Sequence, residues 1–111
     1  MDNWQTKAAE FSQNHNLHHS PSVYALDLIS ELGEVAKEIL LGTDYGKRPF
    51  QATPDHLGHD LSGELGDALY SLCQLATAAG VDLDDAFTAT LQKYEQRWQE
   101  KRNFGSMNAE R

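Results

Sequence analysis

Residues 27–34 read DLISELGE and residues 60–67 read DLSGELGD. Six of the eight positions agree in kind, 33 residues apart, and most of the agreement is acidic. Each phrase ends in two acids three positions apart: Glu31 and Glu34 in the first, Glu64 and Asp67 in the second. On a helix of about 3.6 residues per turn, such a pair shares one face. Both phrases therefore predict a helix carrying a row of carboxylates. The first row is Asp27, Glu31, Glu34 and Glu38; the second is Asp60, Glu64 and Asp67. Leu28, Ile29, Leu32, Val35, Ala36 and Ile39 supply an apolar side to the first helix. Leu61, Leu65, Leu69 and Leu72 are expected to pack inward on the second.

Outward from these phrases, the chain punctuates itself into four helical stretches. Trp4, Ala8 and Phe11 recur at helical spacing and predict a helix over residues 2–14, with Asp2 as its cap. After the break NHNLHHSP, Ser20 is placed to cap the next helix and Pro21 to occupy its first position, where a missing N–H costs nothing. That helix is expected to reach Leu41 and stop at Gly42. The stretch GTDYGKRPFQATPDHLG then reads as a long loop, a length that inside a compact domain usually marks function or disorder. A third helix is expected from near His59 to Gly80, and a fourth from Asp84 to Arg102. Strand patterns are nearly absent. The expected fold is all-α, a four-helix bundle-like domain spanning residues 1–111 as a single unit. Two copies with different flanks do not make a stacked repeat array; a pseudo-symmetric pair of helices describes them better.

Composition narrows the functions available. Seventeen acidic residues against nine lysines and arginines give a net charge of −8, which repels phosphate backbones and disfavours DNA or RNA as a partner. A small phosphorylated substrate stays compatible if cations stand between it and the acids. The lone Cys73 has no partner for an internal disulfide and suits a reducing cytoplasm. Neither a signal peptide nor a membrane span is expected, because no basic-then-apolar start or long apolar run is present.

The acidic rows carry a local cost. Like charges at i,i+3 and i,i+4 destabilise a helix by roughly 0.2–0.5 kcal/mol per pair. A single ExxE is commonly a solvated face, but two matched rows need compensation that a hard divalent cation supplies. Mg²⁺ and Mn²⁺ both prefer carboxylate oxygens and water. Gly33 and Gly66 each cost roughly 1 kcal/mol against Ala inside a helix, and close helix approach is the expected return.

At these residues the sequence resembles a known family. The run Glu31-Leu32-Gly33-Glu34 followed by Glu64-Leu65-Gly66-Asp67 is similar to the ExxE…ExxD signature of the MazG-like, all-α nucleoside triphosphate pyrophosphohydrolases. The resemblance extends from about Phe11 to Trp98 and takes in SPSVYALDLISELGEVAKEIL and the basic segment Lys93-Tyr94-Glu95-Gln96-Arg97-Trp98. It implies Mg²⁺-dependent hydrolysis of an NTP or dNTP to the monophosphate and pyrophosphate, in a house-cleaning role. By position, Glu31, Glu34, Glu64 and Asp67 would hold the metal, with Mn²⁺ a workable substitute. Glu34 or Glu38 would orient or deprotonate the attacking water. This sequence departs from many relatives in having Ser30, not a second Glu, before Glu31, and in a long gap between the acidic phrases. The first puts the number of ions in question; the second implies an enlarged loop.

Other residues have two readings each. Lys93 and Arg97, one turn apart, suit the outer phosphates or an ordinary solvated face. Lys47 and Arg48 in the long loop suit a lid over the triphosphate. Tyr70 suits either the nucleotide or an interhelical contact. Trp4, Phe11 and Trp98 suit a core or a subunit interface, His15, His18 and His19 a loop, and Cys73 the core. Competing functions are phosphoribosyl-ATP pyrophosphohydrolysis and a non-catalytic acidic helical module. A di-iron site is disfavoured because Glu34 and Asp67 stand where Glu-x-x-His would need histidine. A homodimer or homotetramer is expected.

Overall fold

Side chains that satisfy the free N–H groups of a first turn decide where these helices begin. In the computed structural model, which describes residues 3–52 and 60–103, four helices form: α1 Trp4–Asn14, α2 Pro21–Gly42, α3 Leu61–Ala78 and α4 Leu83–Asn103. Among the described residues there is no strand, so the all-α expectation holds. None of the described helices is long and apolar enough to cross a membrane. Ser20 caps α2 through the Val23 amide with Pro21 at the first position, as expected. The Asp2 cap lies outside the described residues, and Asn3 accepts the Thr6 amide at 2.8 Å in its place. The His59 start lies outside them as well. Asp60 turns out to be the cap of α3, its carboxylate taking the Gly63 amide. Asp82 takes the Asp85 amide at 3.0 Å at the start of α4.

The chain divides after Gly80 into two compact units. In the first, α3 packs against both α2 and α1. Tyr24 meets Gln74 while Glu31 meets Glu64 and Asp67, so α2 and α3 run antiparallel. Gln5 bonds Thr77 at 3.2 Å and Phe11 meets Tyr70, so α1 is antiparallel to α3 as well. The second unit contains α4, on which no described residue is buried.

The interior of the first unit is built from small and polar side chains. Ala8, Tyr24, Ala68, Cys73 and Ala76 are buried, together with Ser12, Ser71, Gln74 and Glu38. Cys73, 1% exposed, is the core residue expected of it. The leucines expected to point inward do not all do so: Leu65 and Leu72 are exposed on α3, as are Ile29 (67%) and Leu32 (51%) on α2. Helix separation is set by the side chains at the contact. With two helices against α3, its inward line is the one that permits close approach, through Ala68, Ser71 and Ala76. Trp4, Phe11 and Trp98 are likewise exposed in this chain.

The glycine expectations need correction. A Cβ at Gly33 or Gly66 would meet nothing within 4 Å, so neither serves close helix approach. Gly42 does need its hydrogen, although not as a stop after the helix: it is the last residue of α2, and Thr43 is the cap. A Cβ there would fall into the Phe50 ring and lie 2.8 Å from the Gln51 carbonyl oxygen. Asp44, Tyr45 and Gly46 follow at positive φ, and the Gln51 amide returns to the Gly42 carbonyl at 2.8 Å. The loop thus begins as a hydrogen-bonded turn folded onto the end of α2.

Candidate metal centre

The antiparallel pairing of α2 and α3 sets Glu31 opposite the i,i+3 pair of α3. Glu31, Glu64 and Asp67 each bring one carboxylate oxygen within 4.8 Å of the others. Glu31 and Glu64 are half-buried and Asp67 is exposed, so the group opens to solvent on one side. Partial burial pushes the Glu31 carboxyl above its ordinary range, and the negative charges of Asp67, Glu64, Glu34 and Asp27 push it further the same way. Three carboxylates that repel one another, with no thiolate or imidazole among them, fit a hard divalent ion such as Mg²⁺ or Mn²⁺.

The remaining acids of the two rows separate. Glu34 lies one turn beyond Glu31, outside the group of three yet close enough to act on its charge. Glu38, a candidate base, is 2% exposed and belongs to the interior of the first unit. Asp60 is used as a helix cap and is not part of the group.

The expected phosphate and nucleotide contacts are placed as follows. Lys47 and Arg48 stand in the turn after α2, with their backbone amides on the Thr43 carbonyl at 2.8 and 3.1 Å. Arg48 donates through Nη1 to Gln51 Oε1 at 2.7 Å. Lys93 and Arg97 share one face of α4 as their spacing implies, each charged group 5.9 Å from the Tyr94 ring centroid. Tyr70 packs edge-to-face with Phe11 of α1, ring centroids 6.0 Å apart at 85°. Its hydroxyl is shifted upward by burial and by Tyr24. The interhelical contact is therefore one that it makes.

Two residues carry no motif and were not singled out by the sequence: Tyr24 and Gln74, on the wall of a cavity beside the acidic group's helices. The signal available was register. Tyr24 precedes Glu31 by seven residues and Gln74 follows Asp67 by seven, which returns each to nearly the same helix face.

Comparison with known proteins agrees with the all-α fold. A family model described as the MazG nucleotide pyrophosphohydrolase domain matches residues 19–101. An uncharacterized protein, YpjD of Bacillus subtilis, is 33% identical over 78 residues, covering 70% of this chain and 67% of YpjD. A crystal structure of iMazG from Vibrio DAT 722 superposes with a TM-score of 0.57 at 26% identity, over 88% of this chain and 97% of that one.

Proposed function

Because the chain belongs to the MazG nucleotide pyrophosphohydrolase family, we propose that it hydrolyses a nucleoside triphosphate to the monophosphate and pyrophosphate at the acidic group of α2 and α3. The observation that carries this is the convergence of Glu31, Glu64 and Asp67 within 4.8 Å. These three would hold Mg²⁺, with Mn²⁺ able to replace it. When bound, such an ion neutralises the phosphates and makes a water molecule more acidic.

The chain's own residues do the rest. Glu34, one turn from Glu31, completes the ligand set or holds the proton released as water attacks phosphorus. Glu38 supports that acid from the next turn. The phosphoanhydride bond between the α- and β-phosphates breaks, and pyrophosphate leaves. Lys47 and Arg48 in the turn after α2 take the outer phosphate oxygens, and Lys93 and Arg97, paired on one face of α4, offer phosphate contacts of the same kind, guanidinium groups being suited to paired contacts. Tyr70, about one turn beyond Asp67, also borders the sugar or base.

The protein acts as a house-cleaning enzyme of the nucleotide pool, in the cytoplasm, where a free buried thiol at Cys73 stays reduced. The family match runs without interruption across Gly80, which supports one functional domain. Exposed Leu26, Ile29 and Leu32 along α2 support a homodimer or homotetramer, to be checked by light scattering.

Pyrophosphate release, followed with a panel of ribo- and deoxyribonucleoside triphosphates with and without Mg²⁺, tests the reaction. Magnesium-dependent release of pyrophosphate and monophosphate in equal amounts is the expected result. Turnover of phosphoribosyl-ATP alone, or of nothing, would overturn it.

A further inference from the structure

The side chain of Gln74 carries an unsatisfied polar atom inside the first unit. Gln74 is 4% exposed, and its Oε1 is buried with no hydrogen-bond partner among the described residues. Its Nε2 donates to the Tyr24 hydroxyl at 3.4 Å. That hydroxyl also accepts the His19 backbone amide at 3.2 Å, so its own proton is left to donate. The His19 ring stands edge-on to Tyr24, centroids 5.6 Å apart. An acceptor and a donor are thus held side by side on rigid helices.

They border a half-open cavity of about 140 Å³ between α1, the connector into α2, the start of α2, and α3, with Ser12, His18, His19, Tyr24, Gln74 and Thr77 among its walls. Buried carbonyl-type oxygens normally have a partner, and an orphan calls for an explanation. The cavity's position supplies one. Tyr24 and Gln74 lie seven residues from Glu31 and Asp67 respectively, about two turns or roughly 10 Å along each helix and on the same face. A ligand anchored by its phosphates at the acidic group can lay its other end here.

We propose that this cavity receives the base of the nucleotide, with Gln74 and Tyr24 as specificity-determining residues. Gln74 Oε1 accepts an N–H from the base edge and the Tyr24 hydroxyl donates to the adjacent base acceptor. A planar carboxamide suits such an edge, which offers donor and acceptor together. The proposal rests on the nucleoside triphosphate reading above.

The test is Gln74→Leu, which keeps the bulk and removes both polar ends. For wild type and variant, kcat and KM are measured across the triphosphate panel and for inorganic tripolyphosphate, which has no base. In the variant, kcat/KM should fall at least tenfold for the preferred nucleotide, mainly through KM, and the ranking of bases should flatten. Tripolyphosphate cleavage should change less than twofold. The melting temperature should rise or hold, because an unsatisfied buried amide has been removed. An unchanged base ranking, or an equal loss on tripolyphosphate with a lower melting temperature, would overturn the proposal. A second measurement separates it from the reaction itself: free nucleosides titrated into the metal-free protein, followed by the NMR signals of the Gln74 side-chain amide. Nucleoside-dependent shifts without any turnover would sink the hydrolysis reading and keep the pocket. Turnover without such shifts would do the reverse.

Discussion

The two acidic phrases share their letters and differ in their work. On α2 the phrase lies in mid-helix, so Asp27 is one more carboxylate in a crowded row, and only Glu31 joins the group of three. On α3 the same leading aspartate falls at the helix boundary. There Asp60 becomes a cap, and both following acids, Glu64 and Asp67, enter the group. Burial differs as well, since Glu31, Glu34 and Glu38 of α2 are drawn partly or wholly inward, while Asp67 of α3 remains open, as Asp27 does. A repeated sequence therefore does not repeat a role; the position of the helix start redistributes it.

The strongest way to break this comparison is to remove ligands from each side. Glu64→Gln, Asp67→Asn and Glu31→Gln should each lower kcat/KM by more than the roughly 10–100-fold that outer partners of a metal site cost, and each should weaken Mg²⁺ binding in calorimetry. Glu34→Gln should lower kcat strongly while leaving Mg²⁺ affinity closer to wild type. Helicity by circular dichroism should persist in all four. If Glu34→Gln loses Mg²⁺ as completely as the others, the two phrases contribute equally and the asymmetry is wrong.

Next in size is the contrast between the leading aspartates. Asp60→Ala should cost about 1 kcal/mol in urea denaturation through loss of the cap. Asp27→Ala should leave stability unchanged or raise it by a few tenths of a kcal/mol, roughly one like-charge pair. The glycines sharpen the point from the other side. Gly33→Ala and Gly66→Ala meet open space, so each should stabilise by up to about 1 kcal/mol in the same measurement.

The smallest expected effect is a pH dependence set by Glu31 of the α2 copy. Glu31 has its folded value raised above the unfolded one, so the fold favours its protonated form. That stability is full below the ordinary carboxylate value and is lost as pH rises through the raised value. In metal-free protein, Glu31→Gln should therefore gain stability over wild type near neutral pH and lose the advantage on acidification, in paired melts. Equal differences at both pH values would remove the electrostatic account.

Local chemistry was the most legible part of the sequence. Ser20 and Pro21 announced the start of α2 because capping depends only on neighbours in the chain. The Glu64 and Asp67 pair was readable from its spacing, and its partner Glu31 from the repeat. Asp60 was misjudged because a boundary shift of a residue or two turns a face position into a cap. Leu65 and Leu72 were assigned to the core because hydropathy ranks side chains without knowing how near a neighbouring helix stands. Gln74 and Tyr24 had only register to mark them, because their meeting depends on how residues 15–20 fold back between α1 and α2.

The inward line of α3 has a consequence for how this protein tolerates change. Ala68, Ser71, Cys73 and Ala76 are buried and small, and large aliphatic side chains are not prominent among the buried residues described. Cores built on leucine and isoleucine lose most when a side chain is trimmed. Here the vulnerability is inverted, since enlargement meets two packed neighbours while truncation finds little to remove. A saturation scan should show α3 intolerant of added volume along that line and permissive at its exposed leucines. It would be an interior guarded against growth more than against loss.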